Sequence, residues 1–300
     1  KQNKKGEKNM DYPEIKTLKS NPSLEGLAKL IPDVVFSTAT GVELKMQIMV
    51  PWHDETDQSE EKIPRRPLIV FLQGSAWTFP DVYYEIPQLA EYARMGYVVA
   101  TITHRSFMEG YPAPAFLQDA KTAIRFLRKH AHIYGIDPNR VCFWGTSSGG
   151  NTAMLVAMTG DDPRYKTHEY ADCSDSVSLA IQCFGPTDLV ELLANNPNIT
   201  SAQEHFGGFV GGKLTENIDL LKEMSPFHIV EKDKNYPPLL IIHGDADTVV
   251  PYEQGEKMYK TLINNGYDTE MIRVENAPHE GAFWSRELHT EILDFIKRKL

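Results

Sequence analysis

Cysteine is scarce in this chain: Cys142, Cys173 and Cys183 are the three among 300 residues. Three are too few for a disulfide framework, and no CxxC pair offers a zinc-ligand spacing. Cys142 falls in an apolar, strand-like run and is expected as a buried thiol, while a Cys173–Cys183 bridge is left open by the sequence. No apolar run approaches the length of a membrane span. Positive charge is in deficit, with 31 Lys and Arg against 41 Asp and Glu, a formal net charge of -10. An acidic surface repels phosphate backbones and anionic bilayers, so neither nucleic acid nor an anionic membrane is expected as a partner. The hydrophobic fraction of 41% and charged fraction of 24% are those of an ordinary globular protein.

The N-terminus KQNKKGEKNM is basic and polar with no apolar run behind it, so it is not an intact signal peptide. It does not begin with Met, and an extracytoplasmic (periplasmic or secreted) home after signal removal is the expectation drawn from that. Residues 1–30 read as an N-terminal arm and residues 31–300 as one domain. ELKMQIMVP (43–51) alternates like an antiparallel strand at a sheet edge. HDETDQSEEKIPRR (53–66) is charged and turn-rich, a surface loop. Then PLIVFLQ (67–73), YVVATIT (97–103), RVCFWG (140–145), VSLAIQCFG (177–185) and PPLLIIHG (237–244) are continuous apolar runs, as strands buried on both faces require. Helical segments separate them, over 81–95 and 148–159, and over 116–135, where apolar side chains recur at 116, 117, 120, 123, 124, 127 and 131. Strands alternating with helices imply an α/β fold with a mainly parallel central sheet covered on both faces. Residues 186–232 are less regular and read as a cap-like insertion.

Gly145-Thr146-Ser147-Ser148-Gly149 matches G-x-S-x-G. In this arrangement a serine sits on a sharp strand-to-helix turn, and the small flanking residues let strand and helix approach so that its hydroxyl is lifted into the open. The bare pattern arises by chance in about one 300-residue chain in ten. What gives it weight is the buried strand before it and the helix after it. The competing reading is a glycine-rich turn with no chemistry. Downstream, the strand LLIIHG runs into Asp245 and Asp247, and carboxylates at the C-terminal end of a parallel strand face the crevice where ligands bind. Both are candidates for the acid of a triad, and turn formation is the alternative role for each. MIRVENAPHEGAFW (271–284) then places His279 on a turn after a further strand. Of the other histidines, His228 and His289 read as surface or packing residues and His243 as structural. FLQGSAW (71–77) follows the first central strand, where backbone N–H groups of Gly74 and Ser75 would join that of Ser148 in an oxyanion hole. Trp77 is either a wall of the substrate pocket or ordinary core.

These motifs together resemble the hormone-sensitive-lipase-like and xylan/feruloyl esterase-like branch of the α/β-hydrolases. The resemblance covers roughly residues 65–285 and is densest over 104–151, through Gln118-Asp119-Ala120, Gly135-Ile136-Asp137-Pro138 and the Ser147 elbow. Ser225-Pro226, HGDADTVVP and PHEG extend it. It implies Ser147 as nucleophile, Asp247 rather than Asp245 as the acid, since the acid of HGxxDxxVP is its last Asp, and His279 as the base. Where the family reads His-Gly-Gly-Gly-Trp, this chain reads Gln73-Gly74-Ser75-Ala76-Trp77, which alters the pocket. The activity implied is hydrolysis of carboxylic esters through an acyl-enzyme, with no metal or organic cofactor. The substrates implied are small-molecule or carbohydrate-linked esters with short acyl or hydroxycinnamoyl groups. A serine peptidase of the prolyl-oligopeptidase kind shares this core but usually carries a large propeller before it. A non-catalytic binding protein on the same fold would be expected to have lost part of the triad.

Overall fold

The computed structural model describes residues 14–53 and 63–300. Its sheet has eight strands in the order β1-β2-β4-β3-β5-β6-β7-β8. The strands are β1 (Ala28–Ser37), β2 (Leu44–Pro51), β3 (Arg66–Leu72), β4 (Val98–Ile102), β5 (Ile136–Thr146), β6 (Leu179–Cys183), β7 (Leu239–Gly244) and β8 (Thr269–Val274). From β4 to β8 every neighbouring pair is parallel, and β1 and β2 are antiparallel. The α/β-hydrolase expectation is met.

Apolar residues occupy both phases of the central strands because both faces are covered. On β3, Leu68, Val70 and Leu72 face one core and Ile69 and Phe71 the other. The first core is closed by α2 (Ala115–Lys129) and α4 (Ser148–Met158), the second by α1 (Ile86–Arg94) and, from the chain's end, α8 (Arg286–Lys299). Helix α2 ends at His130, and a one-turn α3 (Ala131–Tyr134) stops at Gly135, whose φ of 66° suits glycine. The insertion holds α5 (Ile199–Phe206), α6 (Ile218–Glu223) and short 3-10 and π turns, and α7 (Tyr252–Asn264) follows β7.

Several boundaries differ from the sequence reading. The edge strand is β1, starting inside the expected arm, and β2 lies second from the edge. Half-exposed side chains along β1 mute the apolar rhythm that would have revealed it. Helix α1 is shorter than 81–95, because residues 82–85 form turns before Pro87 opens the first helical turn. The three cysteines are unpaired, so the Cys173–Cys183 bridge is not formed. Much of the expected 53–66 loop and the first 13 residues of the expected arm lie outside the described residues. Among the described residues no helix is long and apolar enough to cross a membrane.

Candidate active site

Strands β3, β5 and β7 deliver their C-terminal ends to one edge of the sheet, where the loops converge. Ser147 stands between β5 and α4 with φ 50° and ψ -122°, a sparsely populated conformation for a residue with a side chain. The glycines around it are there for space. A Cβ on Gly145 would lie 2.0 Å from the Gly149 carbonyl oxygen, and one on Gly149 would lie 2.1 Å from that of Leu72. Strand, elbow and helix thus approach more closely than any side chain permits, and the serine hydroxyl is pushed outward.

The hydroxyl meets His279. Ser147 Oγ lies 2.9 Å from His279 Nε2, and His279 Nδ1 lies 2.7 Å from Asp247 Oδ2. Asp247 is pinned at its other oxygen, where Oδ1 accepts the N–H groups of Val249 and Val250 at 2.8 and 2.9 Å. Burial alone would raise its carboxyl. Hydrogen bonds from His243, His279, Val250 and Val249 outweigh burial and hold it well below the usual carboxylate range. Asp245 points elsewhere: it accepts from Arg273 Nε at 2.7 Å and from the Asn276 N–H at 2.6 Å, tying the β7 loop to the turn after β8. Of the two aspartates, Asp247 is the one brought to His279. His228 bonds Asp188 and His289 bonds Tyr92, both away from Ser147.

The loop after β3 is arranged differently from its simplest reading. The Gly74 N–H donates to Thr146 Oγ1 at 2.9 Å and the Ser75 N–H to Ser148 Oγ at 2.9 Å. Both groups therefore fasten the loop to the elbow. A Cβ on Gly74 would fall 2.5 Å from Ser147 Cβ, so glycine is needed for this approach too. Ala76 and Trp77 follow with φ of 50° and 57°. The Ala76 N–H has no acceptor among the described residues, and Ser148 opens α4, where the first N–H groups lack helical partners. The strained pair at Ala76 and Trp77 carried no signal in the sequence, since alanine and tryptophan do not announce left-handed backbone.

A cavity of about 330 Å³ opens beside Ser147. Ala76, Trp77 and Val250 line it from the core, and Leu193, Ala202 and Phe206 line it from the insertion. Trp77 is 3% exposed, packs on Phe209 at 4.6 Å between ring centroids, and lines the cavity. A larger groove of about 770 Å³, lined by Asp161, Arg164 and Glu231, lies at the opposite ends of β6 and β7. Ligands of open α/β sheets bind at the carboxyl ends of the strands, so the smaller cavity is the one that concerns Ser147.

Glu85 precedes α1 with 6% of its surface exposed. Burial, with the negative charge of Glu280 adding to it, pushes its carboxyl up to about 7. The folded value is above the unfolded one, so its contribution to stability is fully present below about pH 4.5 and is lost as pH rises through 7. Glu85→Gln, neutral at every pH, should melt within about 2 °C of the native protein at pH 5 and about 5 °C above it at pH 8. Calorimetry at the two pH values checks this, and equal melting at pH 8 would contradict it.

The family model BD-FAE matches residues 56–262. The chain belongs to the BD-FAE family. Curated relatives of this BD-FAE chain include Esterase LipQ of Mycobacterium tuberculosis, 27% identical over 220 residues, covering 72% of this chain and 50% of that protein. The chain thus spans about half the length of the curated relatives it matches. Among solved structures it is similar to a truncated carbohydrate esterase from gut microbiota, with TM-score 0.77 and 28% identity, covering 93% of this chain and 99% of that one. It is also similar to the butyrate-bound thermophilic esterase Est2 of Thermogutta terrifontis, with TM-score 0.70 and 26% identity over 91% and 94% of the two chains.

Proposed function

We propose that this BD-FAE protein is a serine carboxylesterase that works through an acyl-enzyme. The observation that carries this reading is the hydrogen-bonded chain from Ser147 through His279 to Asp247, with distances of 2.9 and 2.7 Å, at the mouth of an apolar cavity. Ser147 Oγ attacks the ester carbonyl while His279 Nε2 takes its proton. Asp247 holds the imidazole with its proton on Nδ1 and stabilises the imidazolium that forms. The oxyanion is met by the N–H of Ser148 and by the 74–76 loop, where Ala76 has the uncommitted donor and Gly74 and Ser75 supply the scaffold. The imidazolium then returns its proton to the leaving alcohol. Water, deprotonated by His279, attacks the acyl-enzyme and releases the acid.

The substrates proposed are short acyl or hydroxycinnamoyl esters, including those carried on plant polysaccharide. A cavity of about 330 Å³ is at the small end of ligand pockets, which favours a compact acyl or alcohol group inside it and the remainder of the substrate outside. The names of the relatives, esterases and a carbohydrate esterase, support the same class. Initial rates on p-nitrophenyl acetate, p-nitrophenyl butyrate, methyl ferulate, acetylated xylan and a prolyl peptide amide test it. Turnover of at least one ester and none of the peptide is expected. Peptide cleavage without ester turnover, or inertness of the folded protein on every ester, would overturn the proposal.

A further inference from the structure

His243 is the penultimate residue of β7, and its imidazole is fully buried. It lies beneath the acidic loop, with the Tyr252 ring 5.9 Å away on α7. Gly255 of α7 admits it: a Cβ there would fall 2.7 Å from His243 Nδ1. Nε2 lies 2.9 Å from the Val250 carbonyl oxygen and 3.4 Å from Asp247 Oδ2. Both neighbours can only accept, so the proton sits on Nε2. Nδ1 is buried and has no partner among the described residues. A ring with one nitrogen buried and unsatisfied is costly, and a leucine would fill similar space without that cost. Packing alone therefore does not account for the imidazole.

We infer that His243 is a positioning residue for the triad, its Nε2–H holding the Val250 carbonyl, whose own N–H holds Asp247 Oδ1, with the ring 3.4 Å from Oδ2. The inference rests on the esterase reading above. Oδ1 of Asp247 is held by the Val249 and Val250 N–H groups and Oδ2 by His279, while the His243 ring holds the Val250 carbonyl and stands 3.4 Å from Oδ2, which together restrain the carboxylate plane from rotating away from His279. The same N–H, 3.4 Å from Oδ2, also lowers the negative potential there. That limits how strongly Asp247 stabilises the imidazolium and leaves His279 able to give its proton to the leaving alcohol. Among the described residues the titratable groups facing Asp247 are these two imidazoles, from β7 and from the turn after β8, with Tyr252 of α7 behind the His243 ring.

The test is steady-state kinetics on p-nitrophenyl butyrate across pH for His243→Leu and His243→Gln. The leucine variant should lose about fivefold to tenfold in kcat with KM unchanged. Its acid limb of kcat/KM should move up by about half a pH unit, because the unscreened carboxylate favours the imidazolium. Glutamine can place its amide N–H where Nε2–H stands and should restore both. If the leucine variant does not fold, His243→Asn, too short to reach Val250 or Asp247, should show the same loss and shift. A folded variant lacking the donor with unchanged kcat and acid limb would overturn the inference. So would a loss of kcat with the acid limb unmoved and no rescue by glutamine, the signature of a purely structural residue. An absence of ester turnover in the native protein is a different failure, that of the esterase reading itself.

Discussion

Ser147→Ala is expected to lower kcat for ester hydrolysis by roughly 10⁶-fold, as removal of a triad nucleophile does in a comparable serine hydrolase. The size follows from the absence of a substitute. The neighbouring Ser148 Oγ accepts the Ser75 N–H and is turned into the loop, not toward His279. Thr146 Oγ1 accepts the Gly74 N–H in the same way. Residual catalysis of roughly 10³–10⁴-fold over water from the oxyanion donors and binding should remain. Ser147 Oγ has its hydrogen bond with His279 alone among the described residues, and alanine keeps the same Cβ at the same backbone angles. The variant should therefore fold and melt within about 2 °C of the native protein, and circular dichroism with the rate assay separates lost chemistry from lost structure. A variant that melts normally and retains more than a tenth of native turnover would contradict the role given to Ser147.

Asp247→Asn should cost roughly 10⁴-fold in kcat while leaving the geometry in place. The surrounding donors dictate how an asparagine would sit. Val249 and Val250 N–H groups hold Oδ1 at 2.8 and 2.9 Å, so the amide oxygen must occupy that position. The NH₂ group then falls where Oδ2 was, facing His279 Nδ1. An NH₂ donor there requires a bare Nδ1 and moves the imidazole proton to Nε2. A protonated Nε2 cannot accept the proton of Ser147. The rate loss should shrink as pH rises and hydroxide or other bases replace His279, which a kcat profile from pH 6 to 10 would reveal. Asp245→Asn is the internal contrast. Its carboxylate ties Arg273 and Asn276 together, so that variant should lose some stability and keep kcat within about threefold. Equal loss of kcat in the two variants would contradict the assignment of the acid.

The central strands were legible because burial on both faces leaves uninterrupted apolar runs such as PLIVFLQ. The elbow was legible because its glycines answer a distance of 2.0 to 2.1 Å that no other residue satisfies. Asp247 and His279 could be proposed from their order along the chain and from the family resemblance. Choosing Asp247 over Asp245 on physical grounds needed the structure, since both follow the same strand two residues apart. Strand β1 was missed because an edge strand with half-exposed side chains lacks a clear alternation. The commitment of the Gly74 and Ser75 N–H groups to Thr146 and Ser148 depends on contacts 72 and 73 residues apart in sequence, which no local pattern encodes. His243 read as structural for the same reason. Its partner Val250 and the empty space left by Gly255 are brought to it only when α7 packs on β7.

The most direct test of the account is to trap the acyl-enzyme. Native protein mixed with p-nitrophenyl butyrate, quenched in acid within the burst and analysed by intact mass and peptide mapping, should carry one butyryl group on Ser147. The Ser147→Ala variant should carry none. An acyl group mapped to another residue, or steady turnover in the alanine variant, would contradict the proposal that Ser147, His279 and Asp247 carry the chemistry.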